Sequence, residues 1–148
     1  MNIKSLLSSD CVLFQHQCAS KKRLLETIAS HLCDHNTNLD PSNVFSALIA
    51  RERLGSTGLG KGIAIPHCRI AACTQTVGVL VTLATPIDFS AIDNEPVDII
   101  FVLVVPEDGH KDHLKTLATL AETLSDKECL QRIRASKDSQ ELYNIVAG

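Results

Sequence analysis

The stretch VDIIFVLVV, residues 97–105, decides the fold. After Asp98 it is apolar at both parities, whereas a strand with one wet face would alternate. It therefore reads as a central strand buried on both faces, ended by Pro106. The run is also the longest apolar one in the chain, far short of the ~20 residues a membrane span needs.

Working outward, VGVLVTL (77–83) reads as a second strand and GIAIP (62–66) as a short third one. Pro66 stops that short strand, and His67 stands just beyond it. Between the two longer strands, TPIDFSAIDNEP (85–96) is rich in turn residues and predicts a polar connection with at most one short edge strand.

Helices surround these strands. Leu24, Leu25, Ile28 and Leu32 form one stripe over residues 20–33, with Ser20 as N-cap. Asp40 and Pro41 read as the N-cap and first position of a second helix, with Val44, Phe45, Leu48 and Ile49 on its apolar face. It ends near residues 51–54. After the turn PEDG (106–109), Leu114, Leu117, Leu120, Ala121 and Leu124 mark a third. Capping-box patterns at Ser125/Glu128 and Asp138/Glu141 predict two more. The expectation is one α/β domain over residues 1–148, with helices covering a central, at least partly parallel sheet.

The totals exclude several classes. At 148 residues, 45% hydrophobic and 21% charged, the chain has ordinary globular composition. A net charge of −3 offers no basic field for nucleic acid, and 3% aromatic residues leave little for base stacking. KKR (21–23) and RIR (132–134) read as solvated helix faces. The apolar runs of the N-terminus are too short and interrupted for a signal-peptide core, so a cytoplasmic protein without membrane insertion is expected. Six cysteines, at 11, 18, 33, 68, 73 and 129, contain no C-x-x-C and predict reduced, mostly buried thiols.

GSTGLGKGIAIPHC (55–68) matches the first seven positions of a phosphate-binding P-loop, but the context is reversed. A P-loop follows a strand and opens a helix. Here a helix precedes Gly55 and a strand follows Lys61, and Gly62 stands where a magnesium-binding hydroxyl belongs. Nucleotide binding is excluded. Gly55, Gly58, Gly60 and Gly62 then serve either a tight helix-to-strand turn or a nest of N–H groups facing an anion; composition does not separate the two.

Among six histidines, His16, His31 and His35 read as surface residues. His67, beyond a strand-terminating proline, occupies the place where open α/β sheets put ligands. His113 lies in the first turns of the helix after the central strand, so parallel strands would bring both histidines to one rim. His110 is one turn from it. One chemistry for such a rim is a zinc site of His67, Cys68, His110 and His113, with a carboxylate from Asp108 or Asp112, although the usual ligand spacing is missing. The other is phosphoryl transfer, with one imidazole as nucleophile, a second as hydrogen-bond donor, and the Arg51 fork supplying charge.

RERLGSTGLGKGIAIPH (51–67), with the 85–106 stretch, DHLKTLATLAETLSD (112–126) and SQELYNIV (139–146), resembles the enzyme IIA proteins of the bacterial phosphotransferase system, fructose–mannitol class. The stand-alone nitrogen-regulatory type is the nearest likeness. The resemblance implies a mixed β-sheet flanked by helices. It implies His67 as phosphoacceptor through Nε2, an HPr-type carrier as donor, and His113 and Arg51 as its active-site companions. Ser56, Thr57, Gly58 and Gly60 are further candidates for a phosphate cradle. No cofactor or metal is called for.

Cys68 departs from the family, which commonly has glycine there; it either crowds the loop, exposes a thiol to oxidation, or is a tolerated substitution. His110 is not part of the family pattern. With no IIB, HPr-like or membrane segment in the chain, a regulator is expected whose phosphorylation state controls targets such as potassium-transport or sensor-kinase components. The alternatives are a sugar-specific enzyme IIA serving a separate enzyme IIB, and a metal- or ligand-binding module without phosphoryl transfer.

Overall fold

The computed structural model describes residues 3–108 and 110–148, with side chains throughout except at 110–112. In chain order the elements are α1 (Ile3–Leu6), a 3-10 turn at Ser9–Cys11, β1 (Val12–His16), α2 (Lys21–Asp34), α3 (Pro41–Arg53), β2 (Gly58–Gly60), β3 (Ile63–Ala64), β4 (His67–Ile70), β5 (Val77–Ile87), β6 (Val97–Pro106), α4 (His110–Ser125), α5 (Lys127–Ala135) and α6 (Ser139–Ala147).

The strands form one mixed, six-stranded sheet in the order β1-β5-β6-β3-β2, with β4 also paired to β6. β5 runs antiparallel to β6, while β3 and β4 run parallel to it. Residues 99–105 of β6 are at most 1% exposed, as expected of a strand apolar at both parities. Each fully buried Val, Leu or Ile side chain there contributes about 1.5–3 kcal/mol of transfer free energy. Helices complete the cover: α2 packs on α3 and against β5, α3 on β4, and α6 on β1.

Capping chemistry sets the helix starts. The Ser20 hydroxyl accepts from the Arg23 N–H, the Asp40 carboxylate from the Asn43 N–H, and the Asp138 carboxylate from the Glu141 N–H. One start differs from expectation. Ser125 is the last residue of α4, and Asp126 caps α5 by accepting from the Cys129 N–H at 2.9 Å. An ionised carboxylate is the stronger acceptor for that N–H, and it stands one residue nearer to it.

Three other features go beyond the sequence reading. The 85–96 connection is mostly exposed, as its turn residues imply, but it is anchored at three points: β5 continues to Ile87, which pairs with Val97, and Ile87, Phe89 and Ala91 are buried. β1 is a parallel edge strand that the sequence reading did not mark, and it makes His16 half-buried. Its five residues carry no clean alternation, because an edge strand is covered unevenly. The glycine stretch, finally, is a hairpin: β2 and β3 pair antiparallel around Lys61 and Gly62, at φ +60° and +82°. Positive φ at both central residues is what a two-residue type I′ turn requires, and glycine supplies it without strain.

Candidate functional site

The site begins where a strand is interrupted. β3 and β4 lie along the same side of β6, Ile63 and Ala64 opposite Ile99 and Ile100, then His67 opposite Leu103. Pro66 has no N–H to give the ladder, though its carbonyl accepts from the Leu103 N–H at 2.9 Å. Pro66 therefore interrupts the strand; it does not end it, and His67 opens β4 within the span of β6, not beyond a carboxyl rim.

The interruption releases Ile65 from the ladder. Its N–H donates to the Thr57 carbonyl at 3.1 Å, and its own carbonyl lies 2.8 Å from His67 Nδ1. A carbonyl only accepts, so Nδ1 carries the hydrogen and the lone pair of the neutral ring sits on Nε2. Burial lowers the His67 pKa below its ordinary 6.5; the Ile65 bond opposes this, and the Arg51 guanidinium adds to it. The imidazole is neutral at pH 7.

His113 reaches the same place from α4. Its ring centroid is 5.4 Å from that of His67, with the planes inclined by 50°, and the residue is buried. Arg51, in the last turn of α3, donates from Nη1 to the Gly55 carbonyl at 2.9 Å. Together with Ser56, Thr57, Leu59, Ile65 and His67, and with Leu117, Ala118 and Ala121 of α4, it lines an open cleft of about 330 Å³. A larger depression of about 670 Å³, from Thr119 to Cys129, has neither histidine nor arginine in its lining.

The glycine loop is fastened from behind by residues the sequence reading missed. The Glu52 carboxylate, 5% exposed, accepts from the Thr57 N–H and hydroxyl and pairs with Lys21 Nζ at 2.6 Å. Lys21 also donates to the Phe89 carbonyl at 3.3 Å, and Ser56 Oγ donates to the same oxygen at 2.6 Å. Ser56 Oγ in turn accepts from the Gly58 N–H at 3.0 Å. The Thr57 N–H is thus already matched by α3 and the Gly58 N–H within the loop. Gly58 has a packing reason as well: a Cβ there would stand 2.7 Å from the Ala91 Cβ.

Cys68 lies on the other face of β4. Alternation puts His67 and Arg69 on one side and the buried Cys68 and Ile70 on the other. Burial pushes the Cys68 thiol up to about 12, with Cys33 and Cys73 near enough to add to the effect. Its side chain is therefore neither a crowding group in the cleft nor a partner for zinc beside His67. Of the remaining candidate zinc ligands, His113 is beside His67 and Asp108 is exposed, while His110 and Asp112 lie outside the residues whose side chains are described.

No helix among the described residues is long and apolar enough to cross a membrane. The chain is 47% identical over 147 residues to the nitrogen regulatory protein of Escherichia coli (strain K12), covering 99% of this chain and 90% of the relative. Among solved structures it is similar to nitrogen regulatory protein IIA-Ntr from Neisseria meningitidis, with TM-score 0.92 and 36% identity, over 97% of this chain and 98% of that one. The IIA mannitol structure from Escherichia coli shares the fold, with TM-score 0.78 and 18% identity over 95% and 98% of the two chains. The family model described as the phosphoenolpyruvate-dependent sugar phosphotransferase system, EIIA 2, matches residues 5–148, and the chain belongs to that family.

Proposed function

We propose that this protein, acting as one domain, is a phosphohistidine carrier of the nitrogen-regulatory type. It accepts a phosphoryl group on His67 Nε2 from the phosphohistidine of an HPr-type carrier and controls regulatory targets according to its phosphorylation state. The observation that carries the reading is the Nδ1–H bond of His67 to the Ile65 carbonyl, which leaves Nε2 as the nucleophile in the cleft shared with Arg51.

The chemistry needs no metal or nucleotide. The Nε2 lone pair attacks phosphorus in line; the new N–P bond forms as the donor's N–P bond breaks, and that electron pair returns to the donor imidazole. As Nε2 gains a bond, positive charge develops on the ring, and the Ile65 carbonyl stabilises the Nδ1–H that shares it. Arg51 and His113 offset charge on the transferring oxygens. Ser56 and Thr57 line the cleft, but their hydroxyls donate to Phe89 and Glu52. They join a cradle only by exchanging those bonds, and Gly58 and Gly60 shape the loop that presents them.

Exposed Leu54, Leu59 and Leu114 come from the segments that carry the site, and Ile92 from the connection beside Gly60; a carrier would dock on this apolar collar. Phosphorylation adds about −1.5 to −2 charges inside that collar, which changes the partners it complements. The regulatory reading over sugar transport rests on likeness: 47% identity to a nitrogen regulatory protein against 18% to the mannitol component.

The test is incubation with phosphoenolpyruvate, enzyme I and an HPr-type carrier, followed by intact-mass analysis in alkali, which spares phosphohistidine. A single added phosphate, absent in His67→Ala, is expected. No addition with an active cascade would leave a binding module that keeps the fold without the reaction.

A further inference from the structure

Away from the cleft, three metal-ligating side chains converge where the N-terminal segment meets the end of α2. Cys11 closes the 3-10 turn before β1, His31 lies in the last turn of α2, and His35 is its C-cap. One ligand atom from each lies within 4.8 Å of the others. The i,i+4 spacing puts both imidazoles on one helix face, their centroids 4.8 Å apart. Cys11 and His35 also line a cavity of about 240 Å³ between α1, the end of α2 and the start of β5.

The hydrogen bonds of the two rings add an independent indication. His31 Nε2 donates to the Asp10 carbonyl at 2.7 Å, and His35 Nδ1 donates to the His31 carbonyl at 3.0 Å. In the neutral rings the lone pairs are therefore on His31 Nδ1 and His35 Nε2. A backbone carbonyl holding the far N–H is the usual support of a metal-bound histidine, fixing its tautomer and orientation. His35 is exposed, as the sequence suggested, whereas His31 is half-buried against the N-terminal segment.

The donor set selects the ion. One thiolate and two imidazoles suit a borderline-soft, tetrahedral cation and disfavour magnesium or calcium. Bond lengths of ~2.3 Å to sulfur and ~2.0–2.1 Å to nitrogen put tetrahedral ligand atoms roughly 3.3–3.6 Å apart. From a spacing of up to 4.8 Å, side-chain rotations that bring the ligand atoms roughly 1.2–1.5 Å closer together complete the site. We propose that Cys11, His31 and His35 bind one Zn²⁺, through Sγ, Nδ1 and Nε2 respectively, with water in the fourth position. Binding replaces the S–H bond of Cys11 by S–Zn and releases that proton to solvent. The ion clamps the N-terminal segment to α2 and takes no part in the phosphoryl chemistry, so it stands independently of the function proposed above.

The experiment is titration of the metal-stripped, reduced full chain with Zn²⁺ against a chromophoric chelator, and separately with Co²⁺. One equivalent of Zn²⁺ is expected, with a cobalt–thiolate charge-transfer band in the near ultraviolet. Cys11→Ser should abolish the band, and His35→Gln should weaken Zn²⁺ binding at least about tenfold. His35 is exposed, so that variant decides the matter if the buried Cys11→Ser fails to fold. His67→Gln should leave both signals unchanged. The assignment is overturned by the absence of saturable binding, by one-equivalent binding that survives His35→Gln, or by binding that disappears with His67→Gln.

Discussion

His67 Nδ1 stands 2.8 Å from the carbonyl oxygen of Ile65, a residue taken out of the β-ladder by the proline that follows it. The nitrogen that keeps its lone pair, the nucleophile of the proposed mechanism, is thereby chosen by backbone geometry before any substrate arrives. Imidazole NMR on ring-labelled protein should show the Nδ1–H tautomer, and after phosphorylation the phosphorus should be coupled to Nε2. Observation of the Nε2–H tautomer would remove the basis of the mechanism.

The pH dependence follows from the lowered pKa. Burial, opposed by the Ile65 bond and reinforced by Arg51, holds His67 below 6.5. Phosphoryl acceptance should fall only at pH values below that of an ordinary imidazole. In the unfolded chain His67 takes its proton near 6.5, earlier than in the folded one. Its contribution to stability is therefore complete above that value and is lost as pH falls through the window to the folded pKa. Arg51→Ala should raise the pKa, and His67→Gln should remove this part of the pH dependence of denaturant midpoints.

Arg51→Lys should slow phosphorylation by roughly 10–100-fold while leaving stability nearly unchanged, because a point charge does not reproduce the guanidinium fork. Quench-flow kinetics with a saturating donor would read this directly. An unchanged rate would show that Arg51 only fastens the Gly55 carbonyl.

The Lys21–Glu52 pair should matter as a loop anchor. Glu52→Ala leaves two Thr57 donors without their acceptor and Lys21 with the Phe89 carbonyl but no carboxylate. A destabilisation of about 2–3 kcal/mol is expected, between a surface and a fully buried pair, since Lys21 keeps some exposure. Urea denaturation measures it, and a change under about 0.5 kcal/mol, the scatter of ordinary surface substitutions, would contradict the anchoring role.

Gly62→Ala should cost at least about 2 kcal/mol, combining backbone strain at φ +82° with displacement of an ion pair. The new Cβ would meet Arg134 Nη2 at 2.5 Å and Asp98 Oδ1 at 2.6 Å. Thermal unfolding of the variant checks this.

Cys68 should resist alkylation. With the thiol raised to about 12 and buried in the core, iodoacetamide at pH 8 should label half-buried Cys18 and Cys129 first, and reach Cys68 only on unfolding. Early modification of Cys68, found by peptide mapping, would reopen a redox role beside His67.

Much of this protein was legible in one dimension, because the signals were local. The double-parity run of β6 dictated a central strand, Ser20, Asp40 and Asp138 announced their helices, and His67, His113 and Arg51 stood out by chemistry and by family resemblance. What escaped was built across distance. The Glu52–Lys21 pair joins residues 31 apart in sequence, the zinc-ligand cluster joins a 3-10 turn to the end of a helix 20 residues on, and Cys68 turned inward because strand alternation follows the register set at His67. The sequence determined which side chains could do chemistry and which segments must be buried. The family resemblance pointed to Nε2 of His67, but only the tertiary structure supplied the reason, a carbonyl released by a broken ladder, and ladder pairing is a property of two strands rather than one.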